Sequence, residues 1–334
     1  VLAGLLSGLR ARYPAARIVV LSGDPGATQR MHNVEAWSRA PRGVWRALRG
    51  ARLLISGGGS LLQDATSARS AVYYAGTMLA ASARGVPVAV VGQGVGPLRR
   101  KWVRSLTARA LRRAALISLR DDESVALLRT IGVDRHIERS ADLAFLLPAP
   151  KPGSGDALLS AAGVSGGRPR IGVAFRPWPG LPDPEAFGRA VRMGSNGTIV
   201  ALPFDRAHDG EVSRRVAAGG EGVTIDASTP HDLLAVVAAM DAVVAVRLHA
   251  LIFAVRCGVP ALAIAYDPKV RAFAEEIGAP CLPATASVDA IAKECAAMVP
   301  DASVRRAPSA AALRRLEDLA NRGLDALRPW ADTP

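Results

Sequence analysis

The chain has 334 residues, half of them hydrophobic and 4% aromatic, with a formal net charge of +13. That length suits two domains, and no apolar run approaches the roughly 20 residues that span a membrane. Cys257, Cys281 and Cys295 make neither a paired framework nor a metal-binding spacing and no secretory signal is visible, so a reducing, cytoplasmic setting without a structural metal is expected. Residues 1–150 hold 22 Lys and Arg against 9 Asp and Glu, whereas residues 151–334 hold 20 of each. All the excess lies in the first half and implies an anionic partner there: nucleic acid, a phosphorylated molecule or an anionic membrane face.

In chain order, residues 1–12 show an amphipathic helix with Leu2, Leu5, Leu6 and Leu9 on one face. Ile18 to Leu21 reads as a strand. An α/β domain usually opens on a strand, so the first strand of the N-terminal domain is expected to be absent. Five arginines between Arg39 and Arg52 surround Trp45. Ala51 to Ser56 is the next strand, ending in Gly57-Gly58-Gly59-Ser60. Such a run lets backbone N–H groups approach an anion at a helix N-terminus, and it serves equally as a tight packing turn. It is neither a dinucleotide fingerprint nor a P-loop. A long helical region is expected over 61–83.

Val88 to Val91 is a strand, followed by a second glycine-rich loop, 92–97, in which Gln93 is the polar group. Residues 99–113 form a basic helix with seven Lys and Arg and an apolar face of Trp102, Val103, Leu106, Ala110 and Leu111. Such a helix suits either an anionic membrane surface or plain solvent. Leu116 to Leu119 is a strand with Arg120-Asp121 at its end. Asp121 caps a helix that Gly132 ends, and Ala141-Asp142 opens a short strand. Residues 1–150 are thus read as one Rossmann-like domain and 151–167, rich in Pro, Gly and Ser, as a linker.

A second Rossmann-like domain is expected over 168–308, with strands at Ile171–Phe175 and Ile199–Pro203. Thr229-Pro230-His231-Asp232 is a helix start. The stretch 241–269 organises the rest. Ala242 to Val246 is a buried strand, Leu251 to Val255 a buried helix, Gly258-Val259-Pro260 a stop, and Ala261 to Ala265 the next strand. Arg247 and His249 are the only polar side chains between Ala242 and Arg256. They fall at a strand's carboxyl end, where open α/β sheets bind ligands. A fixed cation and an imidazole two residues apart suit an anionic substrate that needs a proton. The pattern equally fits a buried Arg paired with a carboxylate and a His satisfied in the core. Residues 309–334 carry a closing amphipathic helix. Strands alternating with helices twice over give an α/β chain of two Rossmann-like domains, and a cleft between such domains is the default binding site.

Several motifs together resemble the bacterial polysaccharide pyruvyltransferases of the CsaB type: GGGSLLQD at 57–64, SARSAVYY at 67–74, GQGVGPL at 92–98, SLRDDES at 118–124, Arg176-Pro177-Trp178, RLHALIFA at 247–254 and YDPK at 266–269. They come in the family's order over nearly the whole chain. The family's usual opening strand and its loop with Gly-Asn-x-Gly-Asp/Glu have no match here. The resemblance implies a GT-B-like fold and transfer of an enolpyruvyl unit from phosphoenolpyruvate, with no cofactor, to a sugar. The acceptor would be an N-acetylmannosamine of a lipid-linked cell-wall polymer precursor, and the product a 4,6-ketal recognised in S-layer anchoring. Arg176 and His249 would correspond to the catalytic pair. Arg247, Gly58, Gly59, Ser60, Gln93, Arg120, Asp267 and Lys269 are the expected substrate-binding residues. The basic first domain would receive the acceptor's pyrophosphate at the inner membrane face. Two rivals remain at this stage. A nucleotide-sugar glycosyltransferase or epimerase often carries a Glu-x7-Glu pair, and Glu275 and Glu276 have no partner eight residues on. A non-catalytic binder of anionic polymer fits the charge, but no nucleic-acid-binding signature accompanies it.

Overall fold

The computed structural model describes residues 1–65, 67–164, 166, 169–299 and 302–331, with the backbone alone over 302–309 and at 331. Two compact units divide the chain: Val1–Pro148 with Leu316–Pro334, and Ala149–Arg315.

The first unit runs α1 (Leu2–Arg12), β1 (Val19–Ser22), α2 (Pro25–His32), β2 (Glu35–Ser38), α3 (Pro41–Leu48), β3 (Leu54–Gly57), α4 (Arg69–Ala83), β4 (Val88–Gln93), α5 (Lys101–Leu111), β5 (Leu116–Leu119), α6 (Asp122–Thr130) and β6 (Glu138–Arg139). Its strands are parallel and form two sheets, β1-β2 and β3-β4-β5-β6. Among the described residues no strand joins them. Alternation along β4 and β5 sends side chains to two cores. Val88, Val90, Ile117 and Leu119 pack with α3 to α6. Ala89, Val91 and Leu116 pack with Leu5 and Leu9 of α1, Leu143, and Leu324 and Leu327 near the C-terminus.

The helix expected over 61–83 starts only at Arg69, because Leu62 bridges to Val95 and Asp64 turns inward. Both Asp64 oxygens accept backbone N–H groups, from Arg99 at 2.6 Å and from Arg100 at 2.8 Å, and α5 begins directly after them. Trp102 is 53% exposed rather than on the apolar face, since the buried stripe of α5 is Val103, Thr107, Ala110 and Leu111. Ala141-Asp142 is not a strand: the Asp142 side chain accepts from Ala144 and caps a 3-10 turn over Leu143–Leu146.

The second unit runs α7 (Ser154–Ala161), β7 (Arg170–Ala174), α8 (Pro184–Ser195), β8 (Thr198–Ala201), α9 (Arg206–Gly219), β9 (Val223–Thr224), α10 (Pro230–Ala238), β10 (Ala242–Ala245), α11 (Leu248–Arg256), β11 (Ala261–Ala265), α12 (Pro268–Glu276), β12 (Cys281–Pro283), α13 (Val288–Met298) and α14 (Ala302–Asp325). The segment expected as a linker contains α7. Its composition is loop-like, but Gly155 lets the helix sit on α10, where a Cβ would meet the Ala235 carbonyl oxygen at 2.1 Å, and Leu159 is buried. The closing helix starts at 302 rather than 309, and its residues from Leu316 onward belong to the first unit.

All six strands are parallel in the order β12-β11-β10-β7-β8-β9. Counted within the unit this is 6-5-4-1-2-3, the doubly wound order. Its switch point lies between β7 and β10, which pair in register from Ala242 opposite Ile171 to Ala245 opposite Ala174. Two chain segments leave the sheet there in opposite directions, so the carboxyl end of this strand pair is open to a ligand.

Candidate functional site

Arg176 leaves β7 two residues after Ala174, and Arg247 leaves β10 two residues after Ala245. These two alanines are register partners, so both guanidiniums start at the same level of the switch point. Their surroundings differ. Arg247 is the N-cap residue of α11, and both its Nε and Nη2 donate to the carboxylate of Asp209 on α9, the Nε bond at 2.9 Å. Asp209 is fully buried and also accepts the Asp205 backbone N–H at 2.9 Å. α9 follows β8, and β7 lies between β8 and β10. The ion pair therefore spans the carboxyl end of β7. Arg247, expected to receive substrate anion, has its charge offset by Asp209 instead. A buried carboxylate in this position could not be read from the spacing of 241–269.

Asp205 caps α9 and touches His208, with Oδ2 2.9 Å from Nδ1. Burial pushes its carboxyl up, but the hydrogen bond and charge of His208, its backbone N–H and the charge of Arg247 hold it below the usual carboxylate range.

Arg176 makes no ion pair among the described residues. Its Nη1 donates to the Tyr266 hydroxyl at 2.9 Å. Its guanidinium carbon lies 5.2 Å from the centre of the Tyr266 ring and 5.4 Å from that of Trp178. The two rings are 4.7 Å apart and tilted by 49°. Tyr266 follows β11, so two loops at the carboxyl end of one sheet, those after β7 and β11, hold this cation. Asp267 is the N-cap of α12, its Oδ1 accepting from the Lys269 backbone N–H at 2.9 Å. That bond gives Asp267 a structural role beside the site. Lys269 sits half-buried in the first turn of α12. His249 is half-buried in the first turn of α11, where backbone N–H groups favour an anion.

In the first unit, β3, β4 and β5 end side by side. Gly58 and Gly59 have φ of +64° and +66°, the left-handed region that suits glycine. Arg120 was expected to meet substrate but is enclosed: Nη1 donates to Asp142 at 2.5 Å, Nη2 to the Ser60 hydroxyl at 3.0 Å, and Nε lies 3.4 Å from Asp121. With 8% of its surface exposed and two carboxylates around it, it ties the loops together. Gln93 is fully buried, its Oε1 accepting from the Ser56 hydroxyl at 3.4 Å. Gly94 gives the space that brings Arg120 and Ser60 together, since a Cβ there would lie 3.0–3.1 Å from both. Residue type pointed to anion binding at Arg120; its carboxylate partners lie 1 and 22 positions away.

Tyr266, Trp178 and Asp209 join the site in the structure without having been expected there. The first two stand in the quoted motifs, and their place at a strand's carboxyl end was the available signal. Among the described residues no group of three or more His, Cys, Asp and Glu could hold a metal ion. No helix there is long and apolar enough to cross a membrane.

The fold is similar to those of sugar-active enzymes. Anabaena HepE, in complex with UDP and glucose, matches with a TM-score of 0.66 at 14% identity, over 98% of this chain and 95% of its own. A putative UDP-N-acetylglucosamine 2-epimerase from Listeria monocytogenes matches with a TM-score of 0.66 at 14% identity, over 100% and 93%. The UDP-GlcNAc 2-epimerase from Neisseria meningitidis gives a TM-score of 0.65 at 9% identity, over 99% and 97%. These likenesses define the class: a GT-B-like α/β protein of two Rossmann-like units. No curated protein matches the chain. The polysaccharide pyruvyl transferase family model matches residues 1–268, and the chain belongs to that family of enzymes.

Proposed function

We propose that the protein transfers pyruvate from phosphoenolpyruvate to the 4- and 6-hydroxyls of a sugar, as in the CsaB type, with N-acetylmannosamine of a lipid-linked polymer precursor as acceptor. One observation carries this reading. Arg176 is a guanidinium without an ion pair among the described residues, fixed by Tyr266 at the sheet's switch point. A small trianion needs such a cation, and a planar guanidinium meets carboxylate or phosphate through two parallel hydrogen bonds. The neighbouring Arg247 is neutralised, so Arg176 takes the anion.

His249 acts as the acid. It protonates the methylene carbon of phosphoenolpyruvate and leaves an oxocarbenium-like centre at the carbon bearing phosphate. The first sugar hydroxyl adds there and returns its proton to His249. The second hydroxyl then displaces phosphate, which departs with the second proton. One phosphoenolpyruvate and one diol thus give one ketal and one phosphate. The reading places the protein in the cytoplasm with α5 against the inner membrane face.

The test is phosphate release from phosphoenolpyruvate with a synthetic lipid-linked N-acetylmannosaminyl acceptor. His249→Ala is expected to lose about 10²–10⁴ in rate while folding normally. Activity near that of the parent would remove His249 from this role.

A further inference from the structure

Trp178 is 42% exposed beside Arg176, one of seven large hydrophobic side chains exposed among the described residues. Its ring is backed by Tyr266 at 4.7 Å, and Tyr266 is itself tied to Arg176 by the 2.9 Å hydrogen bond. An aromatic braced this way has already lost its rotational freedom and loses little more on binding. Leaving an indole in water costs free energy, and of the exposed side chains this one is fixed beside a site cation, where the apolar face of a ligand would cover it.

We propose that Trp178 is the platform for the acceptor's sugar ring, with Tyr266 as its brace and as the positioning residue for Arg176. This rests on the pyruvyl-transfer reading. The ketal carbon must bond to two oxygens of one pyranose while its carboxylate or phosphate rests on Arg176. The ring is therefore held within a few ångströms of that guanidinium, and Trp178 lies 5.4 Å from it. One face of a pyranose is lined with C–H groups, which the electron-rich face of an indole attracts, while its hydroxyls stay at the rim. A nucleobase also stacks on indole. In a nucleotide-sugar, however, a ribose and a pyrophosphate separate the base from the reacting carbon, so an aromatic touching the reactive cation is misplaced for it. The Tyr266 hydroxyl accepts one Arg176 N–H and leaves the other donors of the guanidinium for the anion.

Steady-state kinetics of Trp178→Ala, Trp178→Phe and Tyr266→Phe separates these roles. Trp178→Ala is expected to raise KM for the acceptor about tenfold, the factor that about 1.4 kcal/mol represents, with KM for phosphoenolpyruvate unchanged. Trp178→Phe should recover most of that loss. Tyr266→Phe should raise KM for phosphoenolpyruvate and leave that for the acceptor. A change in the phosphoenolpyruvate constant alone for Trp178→Ala, or in neither constant, overturns the platform. A second measurement does not need turnover. Tryptophan fluorescence is titrated with the methyl glycoside of N-acetylmannosamine and, separately, with UDP, in the parent and in Trp178→Phe. A glycoside response confined to the parent supports the platform even where no phosphate is released, in which case only the pyruvyl-transfer reading falls. A Trp178-dependent response to UDP alone, or none to either, overturns the proposal.

Discussion

The Arg247–Asp209 pair gives the sharpest energetic expectation. Asp209 is fully buried and takes two hydrogen bonds from Arg247 and one from the Asp205 backbone. Asp209→Ala leaves a guanidinium whose side chain is 19% exposed without the carboxylate that takes both its hydrogen bonds. Removing one member of a buried pair costs about 3–5 kcal/mol. The residual exposure of Arg247 lets water reach it and puts the cost near the lower end, about 3 kcal/mol. For a cooperative unit of this size, roughly 2–4 °C of melting temperature goes with each kcal/mol, so a drop of roughly 6–12 °C is expected by calorimetry. Removing both charges together is far cheaper, because no charge is left stranded. Arg247→Met with Asp209→Leu should therefore melt closer to the parent than Asp209→Ala does. If the single variant melts within about 2 °C of the parent, Asp209 does not balance the charge of Arg247.

Other outcomes follow from the same geometry. Arg176→Lys loses the planar pair of donors, and charge-assisted hydrogen bonds are worth about 1.5–3 kcal/mol. Its kcat/KM for phosphoenolpyruvate should fall by roughly 10- to 150-fold, and a value within twofold would move the anion elsewhere. Burial pushes the Asp64 carboxyl up, but the N–H groups of Arg99 and Arg100 and the Arg100 charge more than reverse this and hold it below the ordinary range. A depressed carboxylate stabilises the fold fully above its ordinary range and loses that contribution as pH falls through the folded value. Urea midpoints followed from about pH 5 to about pH 2 should thus decline less steeply in Asp64→Asn. An unchanged slope would contradict the assignment. Neutralising Arg99 and Lys101 should weaken sedimentation with anionic vesicles by roughly fivefold per charge, at about 1 kcal/mol each. Arg100 is left intact in that test because its Nη1 donates to the Asp64 carbonyl at 2.8 Å. Undiminished binding would take α5 off the membrane.

Much of the architecture was legible because it depends on local pattern. The apolar runs at 88–91, 116–119, 242–246 and 261–265 became β4, β5, β10 and β11. Thr229 and Asp232 make the reciprocal cap expected of them, each side chain accepting the other's backbone N–H. The helix in the presumed linker was hidden because its packing rests on Gly155, and a small residue that permits close approach looks like a loop former. β9, β12 and β6 run only two or three residues, too short for any alternation to show.

The sequence alone determined which side chains stand at strand ends, because period and punctuation locate those ends. Arg176, Arg247, His249 and Tyr266 all follow from that. Tertiary structure decided which cation stays available. Asp209 lies 38 positions from Arg247, and Asp142 lies 22 from Arg120, so both arginines are neutralised across the fold, while Arg176 meets an uncharged phenol 90 positions away. Charge is a property of a residue, but its balance belongs to whatever the folded chain places within a few ångströms.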